Sequence, residues 1–227
     1  AAAKRQHVIL SRVAEIIETK GCRCMKPEEI EALSFKIIAN EAGSHRLPPD
    51  RWAIVRRMIH TSADFEYLES IRFHPDAITR GLDAIRSGKT IVTDTNMAKA
   101  GTRKTDLQRF GVSVKCYISD PEVRKISIAK GSTRAEAAVD AAISDLNGGI
   151  YAVGNAPTAL LRLIELIRKK SADPALVIGF PVGFVNAAES KAELMTLDCP
   201  YITNIGRKGG SNIAASVVNA LTLLALE

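Results

Sequence analysis

A chain of 227 residues with 46% hydrophobic content can bury one sizeable core, and it carries a net charge of +6. Uncharged apolar tracts long enough to span a bilayer are absent, and Arg12 and Glu15 interrupt the N-terminal stretch where a secretory signal would lie, which points to a cytoplasmic protein and no membrane. One Trp, four Tyr and six Phe offer little for base stacking and no nucleic-acid motif occurs, so the basic balance points to an acidic small molecule.

The front of the chain reads as helical. Ile9, Val13, Ile16 and Ile17 recur at helical spacing, as do Ile30, Leu33, Ile37 and Ile38 after Pro27, a residue suited to a first turn. Asp50, after Pro48 and Pro49, is the expected N-cap of a third helix running to about His60, with Ile54, Val55, Met58 and Ile59 on its apolar stripe. A fourth helix follows Pro75, buries Ile78, Leu82 and Ile85, and stops at Gly88. Short β-type runs then alternate with helical patterns: Thr90 to Asp94, Val112 to Ile118, Ile150 to Val153, Ala175 to Phe180 and Tyr201 to Ile205. This alternation predicts right-handed crossovers and an α/β fold of three layers, αβα, around a mainly parallel five-stranded flavodoxin-like sheet. A single domain over 1–227 is expected, with a helical front at 1–88 and alternating β/α structure at 89–227. Cys22 and Cys24 stand one residue apart, which is not a zinc spacing, and Cys116 and Cys199 lie in apolar runs, so reduced thiols and no metal site are expected.

Three small-residue turns sit where an apolar run gives way to a helix: GNAPTAL (Gly154 to Leu160), GFPVGFVNAAESK (Gly179 to Lys191) and GRKGGS (Gly206 to Ser211). Such turns let a backbone approach a ligand closely, and the N–H groups that open the next helix hold anions at the carboxyl ends of the strands. They nominate Asn155, Gly209, Gly210 and Ser211 as substrate-binding positions. Neither G-x-G-x-x-G nor a P-loop is present, so a nucleotide enzyme is unsupported.

Individual side chains carry two readings each. Arg57 and His60, three apart, share the polar face of the third helix, where they either serve one ligand or face water. Ser34 lies on an apolar face with Ile30 and Ile38, where its hydroxyl either bonds back to the carbonyl four residues earlier or meets a ligand. Thr133 and Glu136 form a capping box, whereas Arg134 opposes the helix dipole and either answers a ligand carboxylate or faces solvent. Asp94, ending the first of these strands, either caps a helix or binds a ligand N–H or hydroxyl, with capping the stronger reading.

The stretches RRMIHTSAD (Arg56 to Asp64), TDTNMAKAG (Thr93 to Gly101), GSTRAEAA (Gly131 to Ala138), AVGNAPTAL (Ala152 to Leu160), PVGFVNAAESK (Pro181 to Lys191) and GRKGGSNIAASVVNAL (Gly206 to Leu221) resemble the precorrin-8X methylmutase family, also called cobalt-precorrin-8 methylmutases. The resemblance runs over nearly the whole chain from Pro27. It implies an isomerase of cobalamin biosynthesis that moves a methyl group from carbon 11 to carbon 12 of ring C of a tetrapyrrole, uses no organic cofactor and works as a homodimer. It also implies that His60 is catalytic, protonating or hydrogen-bonding a ring nitrogen, and that Ser34, Arg57 and Arg134 contact a corrinoid polycarboxylate. Two positions depart from the family pattern: Leu33 stands where relatives often carry Arg, and Ala63 where they often carry Gly. A non-catalytic corrinoid-binding protein of the same descent would keep the glycine turns and basic residues without needing His60.

Overall fold

The computed structural model describes residues 25–227. The expected helix with Ile9, Val13, Ile16 and Ile17, and the pair Cys22 and Cys24, lie outside the described residues.

Two helices open the described chain. α1 (Pro27–Ala42) starts with Pro27 in its first turn and with Glu29 accepting from the Lys26 N–H. α2 (Pro49–Ser62) begins one residue earlier than expected, so Asp50 is not its cap but sits in its first turn, where an acidic side chain still favours the positive end of the dipole. Its expected stripe of Ile54, Val55, Met58 and Ile59 is buried. α3 (Tyr67–Ser70) leads into β1 (Ile71–Phe73), and α4 (Ala77–Arg86) into β2 (Ile91–Thr93). α5 (Asn96–Gly101) and α6 (Lys104–Gln108) precede β3 (Val114–Lys115); α7 (Pro121–Lys130), α8 (Arg134–Ala141) and α9 (Ile143–Leu146) precede β4 (Ile150–Val153). Then come α10 (Pro157–Arg168), β5 (Leu176–Gly179), α11 (Ala187–Leu194), β6 (Tyr201–Asn204) and α12 (Ser211–Leu226).

The sheet has six strands, not five, in the order β1-β6-β5-β4-β2-β3. Five are mutually parallel, and the unexpected sixth, β1, pairs antiparallel with β6 through Ile71 opposite Asn204 and Phe73 opposite Ile202. Three residues of alternating burial between two helices leave too short a trace to read as a strand.

Both faces of the sheet are covered, and the pleat divides the core accordingly. Ile91, Ile150, Ala152, Leu176 and Ile178 face a cluster formed with α2, α4 and α12, whereas Val92, Tyr151, Val153 and Val177 face Val139, Leu146, Leu160, Leu163 and Leu194 on the other side. α12, apolar on nearly every side, packs against α2, α4 and α5. No helix of the described residues is long and apolar enough to cross a membrane. Cys199 is buried, which pushes its thiol up to about 12, and Cys116 is half-buried; both are free thiols.

The three small-residue turns meet. Gly210 N–H donates to the Phe180 carbonyl at 2.9 Å, Gly183 N–H to the Arg207 carbonyl at 3.2 Å, and Gly154 lies directly against Gly210 and Ser211. A Cβ at Gly154 would stand 2.5 Å from Ser211 Cα and 2.7 Å from Ser211 N, atoms that cannot rotate away. Gly154→Ala is therefore expected to lower stability by roughly 1–3 kcal/mol through overpacking, read as a lower urea midpoint at unchanged slope. An unchanged midpoint would mean that the turns do not meet as described.

Candidate active site

At the reversal of strand order between β2 and β4, Asp94 is buried and its carboxylate accepts the backbone N–H groups of Gly154 (2.9 Å), Asn155 (2.8 Å) and Ala156 (2.9 Å). The anion that the GNAPTAL turn was expected to bind is thus supplied by the protein. Asp94 caps the entry to α10, and both carboxylate oxygens are committed there. Burial raises its pKa against the opposing pull of those donors.

Its neighbour Thr95 caps α5 and shares a 2.7 Å hydrogen bond with Ser211 Oγ. Gly209 packs against the Phe180 carbonyl and Gly210 N–H donates to it, and with the buried Ser211 they form part of the carboxyl edge at the start of α12. Asn155 differs: its N–H is used, but its side chain is exposed. Close to it, Thr133 Oγ1 donates to Thr158 Oγ1 at 3.2 Å, which ties the start of α8 to the start of α10 and sets the exposed Arg134 beside the same turn. The expected capping box is present, with Glu136 accepting from the Thr133 N–H at 2.7 Å and Glu136 N–H donating to Thr133 Oγ1 at 3.2 Å.

The second half of the site comes from the front helices. α1 packs along α2, and Ser34 Oγ lies 3.0 Å from Nδ1 of His60. Ser34 therefore holds the histidine, instead of bonding back along its own helix. The exposed imidazole keeps Nε2 without a protein partner among the described residues. Phe35 meets the His60 ring edge-on at 5.1 Å, and the guanidinium groups of Arg56 and Arg57 lie 4.4 Å and 5.1 Å from its centroid. Arg57, only 13% exposed, donates to Glu31 Oε1 at 3.2 Å and so fastens the seam between the two helices.

A clamp joins the halves. Lys208, in the turn after β6, pairs with Asp64 at 2.5 Å and Glu66 at 2.7 Å, just beyond His60 in the chain. Its carbonyl is gripped from behind by Lys191, a fully buried lysine whose Nζ donates to Lys208 O at 2.7 Å and to Asn204 Oδ1 at 3.1 Å. Burial pushes the Lys191 pKa down to about 8.

Phe35, Arg56, Glu31, Lys191 and the Lys208 clamp all escaped reading from sequence. Helical spacing carried a signal for two of them. Arg56 lies four residues before His60, and Lys191 falls on the buried stripe of Ala187 and Leu194, where a lysine is out of place unless it has partners. No group of three or more His, Cys, Asp or Glu side chains placed to hold a metal ion occurs among the described residues.

Helices on both faces of a largely parallel sheet define an α/β protein, with an oriented imidazole on α2 and several cations close to it in the chain or in the turn after β6. Residues 29–224 match the family model described as precorrin-8X methylmutase. The chain belongs to the precorrin-8X methylmutase family. It is 50% identical to the cobalt-precorrin-8 methylmutase of Priestia megaterium over 88% of this chain and 89% of that one. With the precorrin-8X methylmutase of Pseudomonas aeruginosa it shares 37% identity, over 83% of this chain and 91% of that one. The crystal structure of the precorrin-8X methylmutase from Thermus thermophilus superimposes with a TM-score of 0.81 at 47% identity, covering 86% of this chain and 95% of that one.

The Lys191 ammonium is a test of the clamp. Its folded pKa, about 8, is below that of an ordinary lysine, so between pH 8 and about 10.5 the unfolded chain binds more protons and stability rises with pH. Relative to Lys191→Met, the native protein should gain on the order of 2–3 kcal/mol between pH 7.5 and 10.5 in urea unfolding. A pH-independent difference between the two would show that the amine is not titrating in that window.

Proposed function

We propose that this chain is the isomerase that moves a methyl group from carbon 11 to carbon 12 of the corrinoid ring in cobalamin biosynthesis, and that His60 is its catalytic residue. Methylmutases are isomerases, so nothing is added to or removed from the substrate. The observation that carries the reading is the Ser34 contact: a hydroxyl at Nδ1 fixes the ring plane and leaves Nε2 of the exposed imidazole available to place a proton or hydrogen bond at a ring nitrogen. In a macrocycle of conjugated double bonds, a proton or hydrogen bond at one nitrogen redistributes the electrons that the migrating methyl leaves and joins.

Around the imidazole, Arg57 with its Glu31 partner sets the charge of the helix seam, while Asn155 and Arg134 meet peripheral carboxylates from the far side of the slot. Asp94, Gly209, Gly210 and Ser211 shape the wall between them. Charge-assisted contacts to several spread carboxylates suit a wide flat ligand better than one tight phosphate cradle would. Neither the cobalt-bearing nor the metal-free substrate is favoured, because identity is 50% to a cobalt-precorrin-8 methylmutase and 47% to a solved precorrin-8X methylmutase. The non-catalytic alternative loses ground to the same Ser34 contact, since a mere holder has no need of an oriented imidazole.

The test is turnover of cobalt-precorrin-8 and of its metal-free counterpart, followed by visible absorption. His60→Ala should fold, should bind the corrinoid product, and should turn over at least ~100-fold more slowly. Unchanged turnover in that variant would overturn the assignment.

We further infer a two-fold homodimer. Phe184 and Val185 are 85% and 76% exposed on the turn after β5, Met97, Val182 and Ile205 are exposed in segments that follow β2, β5 and β6, and Ile30 is half-exposed on α1. Large apolar side chains this exposed are a surface to be covered. The front helices of one subunit would then help to wall the site of the other, burying more than ~1,200 Å² in total. Light scattering coupled to gel filtration at micromolar concentration should give the dimer mass, and a monomer would reject the shared wall.

A further inference from the structure

Arg56, one turn before His60, feels the charge of Glu31 but forms no ion pair of its own among the described residues. Arg57 has Glu31, and Lys208 has Asp64 and Glu66. Arg56 makes no ion pair or hydrogen bond with any described residue, and its Nε is buried with no acceptor. Burial and then the neighbouring Arg57 lower its pKa, with Glu31 offsetting only part of this, yet a guanidinium remains charged in a protein. A half-buried cation with an orphaned donor is a cost that folded proteins rarely keep without a use for it.

What surrounds the side chain gives that use a shape. The guanidinium lies 4.4 Å over the Phe35 ring, and stacking of this kind fixes the plane of its donor fork before any ligand arrives. Phe35 also contacts the His60 ring, so one aromatic side chain positions both the fork and the imidazole. On α2, Arg56 precedes His60 by one turn, which puts their Cβ atoms about 5–6 Å apart on a common face. Glu31, the nearest acid, is already bonded to Arg57.

We propose that Arg56 is a specificity-determining residue of this site: its guanidinium fork receives one peripheral acetate or propionate carboxylate of the macrocycle and thereby selects which ring edge comes to rest against His60. This inference rests on the corrinoid reading above. A planar fork and a planar carboxylate match in two parallel hydrogen bonds, so the contact fixes rotation as well as position. Because the two side chains are one helical turn apart, the bound carboxylate belongs to the part of the macrocycle that His60 addresses. Arg57, neutralised by Glu31, supports the seam without competing for that carboxylate.

The experiment compares the wild-type chain with Arg56→Met and Arg56→Lys, using cobyrinic acid and its fully esterified form as probes, with binding followed by visible titration and turnover measured on cobalt-precorrin-8. Arg56→Met should weaken binding of the polycarboxylate and raise KM roughly 10- to 100-fold, with a much smaller change in kcat and no change in affinity for the ester. Arg56→Lys should recover part of the affinity, since it keeps the charge and loses the fork. Equal weakening of acid and ester, or unchanged binding of both by a variant that folds, would overturn the assignment while leaving the methylmutase reading intact. Should Arg56→Met fail to fold, Arg56→Lys binding the acid as tightly as wild type would overturn it. A wild-type chain that neither binds nor isomerises the corrinoid would remove both readings.

Discussion

The carboxylate of Asp94 sits where the sheet changes direction, and the arrangement of the whole carboxyl edge follows from what it binds. β2 is flanked by β3 on one side and β4 on the other, and such a reversal opens the crevice in which an α/β protein ordinarily receives an anion. Here three backbone N–H groups converge on a side chain of the protein itself. Bonds to a charged acceptor are roughly twice as strong as neutral ones, so the turn is held firmly enough for Gly154 to press on Gly210 and Ser211, and for Thr95 to reach Ser211. With the amide donors of this turn spent internally, an anionic ligand beside it has to be met by side chains.

Those side chains divide by how they are paired. The Lys208 bridges to Asp64 and Glu66 are exposed, and exposed pairs add little to stability. Their effect is geometric: they join the turn after β6 to the segment just past His60. Lys191 acts from inside, and because its two acceptors are neutral carbonyl oxygens, it carries its positive charge into the core unneutralised. That is tolerable only where the bonds it makes fix something that would otherwise drift, here the backbone of the same turn. α12 completes the frame, since it starts at Ser211 in the wall and packs along α2, which carries His60.

Much of the frame was legible in the sequence because it depends on local periodicity. The stripe of Ile54, Val55, Met58 and Ile59 marks α2, the apolar runs at 150–153 and 176–179 mark central strands buried on both faces, and proline marks the starts of α1, α2, α7 and α10. β1 was not legible, because an edge strand of three residues is defined by its partner β6 and not by its own pattern. The site was legible only in part. His60 and Ser34 could each be nominated alone, but their 3.0 Å contact spans 26 residues and depends on how α1 lies across α2. The anion-binding character of the GNAPTAL turn was correctly read from its glycine and helix start. That a carboxylate 60 residues away would fill it required the strand order.

The choice of a hydroxyl behind the histidine bears on the chemistry. A carboxylate at Nδ1 would hold a proton there and stabilise the imidazolium, which favours keeping a proton once taken. The Ser34 hydroxyl can either donate to or accept from Nδ1, so it holds the ring orientation in every protonation state without preferring the charged one strongly. An isomerisation begins and ends with the same number of protons on the substrate. In the proposed mechanism a proton lent at Nε2 to start the migration returns when it ends, and an orienting partner that is neutral and reversible suits both directions of transfer.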